Sequence, residues 1–97
     1  MATVTNTLTW NKNAETTVVG YNVYRNIGSA PTKIASEKVN TTVIPTLTYI
    51  DVVSADGDYF YAVTAVDTVG QESGISNVVD KVVSAIPPQP PTGLTVV

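Results

Sequence analysis

The sequence predicts an all-β sandwich, and three observations lead there. Valine and threonine together make up 32 of the 97 residues; both are β-branched, stiff at χ1 and better suited to a pleated, half-buried surface than to a helix. Several stretches alternate apolar and polar residues with period two, and none shows the 3.6-residue period of an amphipathic helix. Clusters of Gly, Pro, Asn and Asp punctuate those stretches as turns. A chain of 97 residues makes one domain, large enough to bury a single core without metal or disulfide.

Residues 4–10 read as the first strand, with Val4, Asn6, Leu8 and Trp10 on the inward face and Thr5, Thr7 and Thr9 on the wet one. Asn6, the odd member of the inward set, reads as a frayed start. Residues 11–17 are polar and form a loop. Residues 18–25 make the second strand, Tyr21 and Val23 on one face, Asn22 and Tyr24 on the other, with Gly20 allowing a bend or bulge. Gly28, Ser29 and Pro31 mark a turn. A short third strand is expected over residues 33–36, followed by a less regular stretch to Thr42, and another short strand over residues 46–50 after Pro45. Residues 51–58 read as a connection containing the tight-turn pair Asp56-Gly57.

Residues 59–66 are the clearest strand. Tyr59, Tyr61, Val63 and Ala65 alternate with Phe60, Ala62, Thr64 and Val66, and both faces are apolar, so the strand is central. Residues 67–71 form a hairpin loop in which Gly70 supplies φ > 0. The last strand of the body spans residues 76–83, with its register left open by the valine pairs Val78-Val79 and Val82-Val83. The expected core is Trp10, Tyr21, Val23, Tyr59, Tyr61, Val63 and Ala65. The chain thus divides into a body, residues 1–86, and a segment of different composition, residues 87–97. Four of the six prolines lie between Ile86 and Pro91, the signature of a stiff extended linker. Beyond them Leu94 and Val96 alternate with Thr95 like the start of a new strand.

The composition narrows function. The net charge is −3, with eight acidic and five basic residues dispersed along the chain; no basic patch is available to replace phosphate counterions, which argues against nucleic acid and against an anionic membrane surface. No apolar run approaches the ~18 residues of a membrane-spanning helix. There is no histidine and no cysteine, so the commonest general base, the commonest zinc ligand and the thiol nucleophile are missing. The many hydroxyls lack a base to activate them, and no Gly-rich phosphate loop is present. No catalytic residue, cofactor site or metal site is expected. The acidic residues Asp51, Asp56 and Asp58 match no calcium-loop spacing, and Asp67 and Glu72 read as solvated turn residues. Asn40-Thr41-Thr42 is a formal glycosylation sequon. Tyr24, Phe60 and Val66 face outward, either as an exposed contact patch or as a covered sheet face.

The ordered set Trp10, Gly20-Tyr21-Asn22-Val23-Tyr24-Arg25, Tyr49-Ile50-Asp51, residues 59–67 and Ser76-Asn77 resembles a fibronectin type III domain of the kind found in secreted multidomain bacterial proteins. The resemblance covers about residues 4–86 and implies an immunoglobulin-like two-sheet sandwich of about seven strands, A to G. In it Trp10 resembles the core tryptophan of strand B, Tyr21 and Val23 take inward positions of strand C, and Tyr59 takes the tyrosine-corner position, whose hydroxyl ties strand F to the preceding loop. Residues 67–73 correspond to the loop between strands F and G. The resemblance further implies an extracellular or cell-surface location and neighbouring domains of the same protein as partners.

One departure stands out. The proline-rich lead and Leu-x-Val pair of the family's strand A are not found before Val4; the matching text, Pro90-Pro91-Thr92-Gly93-Leu94-Thr95-Val96, lies at the far end. Three readings remain open for it: a dangling start of a following repeat, a strand folded back onto its own domain, or a strand inserted into a neighbouring molecule through Leu94 and Val96, giving a homo-oligomer. The functional expectation is a non-catalytic structural, spacer or interaction module. The alternatives are a self-associating subunit built by strand donation and a glycan- or protein-binding accessory module using the loops at residues 11–17 and 67–73.

Overall fold

The structure, a computed structural model, describes residues 3–84 and 90–97. Its five strands are β1 (Val4–Thr9), β2 (Val18–Ile27), β3 (Thr48–Val53), β4 (Gly57–Asp67) and β5 (Val79–Val83). They form two antiparallel sheets, one of β1 and β3, the other with the order β2-β4-β5. Among the described residues the only helical element is a single 3-10 turn at Ala35–Glu37. The two sheets share one core. Val23, Tyr59, Tyr61 and Val83 come from the three-stranded sheet and Val53 from the other, with Val4, Leu8, Trp10, Val39, Ile44, Tyr49 and Val63 packed around them.

The apolar two-faced segment lies in β4, central in its sheet. Tyr21, Val23, Tyr59, Tyr61 and Ala65 are buried; Trp10 and Val63 are half-buried. Trp10 meets the Tyr21 ring edge-on at 5.5 Å, a preferred aromatic geometry. The register shift in the β2–β4 pairing falls between Val18 and Gly20, the bulge that the glycine permits. In β5 the valine register resolves: Val83 turns into the core, while Val82 is 71% exposed.

The resemblance implies about seven strands; five are present among the described residues. Three expected strand positions are corrected. The strand expected over residues 33–36 is loop and 3-10 turn, because local bonds win there: the Glu37 carboxylate accepts from the Thr32 amide at 2.6 Å and from its hydroxyl, while Ile34 stays exposed. The strand expected to stop at residue 50 runs on to Val53, carrying Asp51 inside the sheet. The strand expected from residue 76 starts at Val79; before it, the Ser73 and Ser76 hydroxyls accept from the Ala65 and Val63 amides and stand in for a ladder.

The other side of β2 is closed by residues 38–44 without forming a strand. Tyr21 and Ile44 exchange both backbone hydrogen bonds, and the Val39 amide donates to the Val23 carbonyl. Between these, the Asn40 carboxamide oxygen accepts from the Val23 amide at 2.8 Å and its nitrogen donates to Asn22 Oδ1 and the Thr42 carbonyl. A side chain thus completes the edge where backbone does not. The segment comes so near β2 that only glycine fits at position 20. A Cβ there would run into Val43 Cγ1 and lie 2.7 Å from the Ile44 carbonyl oxygen. Gly20→Ala is expected to lower stability by about 1–3 kcal/mol through overpacking, read as a lower urea midpoint at unchanged m-value.

Candidate functional site

A polar cluster spans the sandwich interior. Asn6 lies opposite Asp51 in the β1–β3 pairing, and Arg25 opposite Tyr61 in the β2–β4 pairing. The two pairs face each other. Arg25 Nη1 donates to both Asp51 oxygens at 3.0 and 2.9 Å, the Tyr61 hydroxyl donates to Asp51 Oδ2 at 2.5 Å, and Asn6 Nδ2 donates to the Tyr61 oxygen at 2.9 Å. Asp51 is buried and Arg25 half-buried, with its guanidinium 5.7 Å from the Tyr59 ring centre. A buried carboxylate is tolerated only when paired and hydrogen-bonded, and Asp51 has three donated bonds. Burial, and then the Asp51 carboxylate, push the Tyr61 hydroxyl up to about 12. Asn6 is therefore no frayed start; it is a buried member of this cluster.

Next to the cluster the sandwich is open along one side. β1 is an edge of its sheet and β5 an edge of the other. Between them runs a groove floored by Leu8, Trp10, Tyr61 and Val63 and walled by Val79 and Asn77. Two buried side-chain atoms have no hydrogen-bond partner, Asn6 Oδ1 on β1 and Trp10 Nε1 just beyond its end.

The outer face of the three-stranded sheet holds a second carboxylate. Glu72 Oε2 accepts from the Thr64 and Tyr24 hydroxyls at 2.5 Å each and from Asn22 Nδ2 at 3.2 Å. Burial works against the Glu72 charge, but these donors outweigh it and hold the carboxyl below its ordinary range. Burial and Glu72 in turn push Tyr24 up to about 12. This face is covered: Tyr24 and Val66 are buried and Phe60 is half-buried, and Pro31 is among the most buried side chains. Lys33, from the loop that covers it, donates to the Ser73 carbonyl. Tyr24, Phe60 and Val66 thus form no exposed patch.

The acidic residues picked out by sequence do not converge. Asp51 belongs to the interior cluster, and Asp56 sits in the connection before β4. Asp58 is raised by desolvation and then by Asp80 on β5. Asp67 caps its loop, accepting from the Val69 and Gln71 amides, with Gly70 at φ 86°; Glu72, expected to be solvated, is the half-buried acceptor just described. Among the described residues no group of three or more His, Cys, Asp or Glu side chains is arranged to hold a metal ion. Asn40 is 7% exposed with its carboxamide fully engaged, so the folded sequon presents no free acceptor nitrogen. Leu94 and Val96 are 97% and 94% exposed. Residues 90–97 pair with no strand, so the fold-back onto the same domain is not adopted. The body–linker boundary at Ile86, with Pro87 and Pro88, lies outside the described residues.

No family model, curated protein or solved structure matches the chain.

The two shifted tyrosines set an alkaline limit. Each keeps its proton in the folded chain to about 12, against 10.0 when unfolded. Between those values the folded state holds protons that the unfolded state has lost, so stability falls as pH rises through that window. Following tyrosinate absorbance against pH, Tyr24 and Tyr61 are expected to ionise late, together with unfolding, and Tyr61→Phe to remove one late step.

Proposed function

We propose that this chain is a non-catalytic structural module of the fibronectin type III kind, serving as a spacer between neighbouring domains of a secreted multidomain bacterial protein. The observation that carries the reading is the Tyr59 hydroxyl, which donates to the Ala55 carbonyl at 2.8 Å. This is the tie between a strand start and the preceding connection that defines a tyrosine corner. The pairing order supports it as well: β1 with β3, and β2-β4-β5, fit strands B and E on one sheet and C, F and G on the other. The chemistry agrees with a structural role. The carboxylates of buried Asp51 and half-buried Glu72 are consumed by hydrogen bonds inside the domain, and a chain without histidine or cysteine lacks the usual groups for activating a nucleophile.

A spacer sets distance. Two, three and four copies joined end to end through the proline segment are expected to form rods in small-angle X-ray scattering, with maximum dimension growing by a constant increment per copy. Arrays that collapse into compact particles would overturn the reading.

A further inference from the structure

One side of the sandwich leaves an edge open. β1 pairs with β3 along one side and, among the described residues, with no strand along the other. Natural edges are protected by charges, prolines or bulges. Residues 3–11, which include β1, hold no charge and no proline, whereas the facing edge, β5, carries Asp80 and Lys81. The groove between them is apolar at Leu8, Trp10, Tyr61, Val63 and Val79.

We propose that residues 91–97 of a second copy of this chain add to the free edge of β1 and lay Leu94 and Val96 into this groove. The segment suits the site in three ways. It is uncharged, like the edge that it meets. Leu94 and Val96 flank Thr95, so one face of an added strand carries both, and both are almost fully exposed in the unpaired chain. Gly93, at φ 74°, turns the backbone just before Leu94, where a proline-led arm has to enter. Reciprocal insertion of two such strands has to bury at least about 1,200 Å² to reach the level of stable protein interfaces; insertion that does not close extends the assembly copy by copy. This association goes beyond the spacer role and does not depend on it.

The test uses full-length chains with light scattering over a concentration series. The unaltered chain is expected to associate as concentration rises. Leu94→Asp/Val96→Asp removes the donor strand and keeps the groove. Val79→Lys places a charge on the groove wall and keeps the donor, and Asn77→Lys serves the same purpose should Val79→Lys not fold, as judged by circular dichroism. Each variant alone is expected to associate at least about tenfold more weakly. An equimolar mixture of donor-deficient and groove-blocked chains is expected to restore a dimer, because each supplies what the other lacks. A monomeric unaltered chain, variants that associate as it does, or a mixture that stays monomeric overturns the proposal. Monomers whose tandem arrays still form rods leave the spacer reading in place, so the two failures are distinguishable.

Discussion

The bidentate contact from Arg25 to Asp51 joins the two sheets, and much of the interior is arranged around it. Arg25 belongs to the three-stranded sheet and Asp51 to the two-stranded one. A buried ion pair contributes little net stability against a well-packed apolar pair, but breaking it by removing one partner is costly, about 3–5 kcal/mol. Its consequence is therefore specificity of arrangement. With Tyr61 and Asn6 completing the hydrogen bonds, one register of each sheet is compatible with the cluster, since a one-residue slip turns each of these side chains to the opposite face.

That arrangement also sets up the open edge. Tyr61 and Asn6 line the groove beside β1 while holding the cluster together, so the groove floor is fixed from beneath. The Asn6 nitrogen donates to Tyr61, while its buried oxygen has no hydrogen-bond partner, and a buried polar atom left unpaired costs about 1–3 kcal/mol.

The period-two patterns around Tyr21 and Val23, and from Tyr59 to Ala65, made the central strands legible, because burial there follows alternation. The glycine bulge and the Gly70 turn were legible for the same local reason. What stayed hidden depends on partners distant in sequence. Asn6 among inward apolar residues looked like fraying, and Asp51 near Asp56-Gly57 looked like a turn; only cross-strand registration brings them together with Arg25. Glu72 looked like a solvated loop residue until Tyr24, Thr64 and Asn22 were placed around it. Asn40 carried the signature of a modification site, whereas its use is to complete the edge of β2.

The central claim is that the two sheets are coupled through the Arg25–Asp51 contact. A double-mutant cycle with Arg25→Met, Asp51→Asn and the combined variant, read from urea unfolding, tests it most directly. The account predicts a coupling energy of about 1.5–3 kcal/mol, as for hydrogen bonds to charged groups. Additivity within about 0.5 kcal/mol would contradict it, and would mean that the sheets are not coupled through this contact.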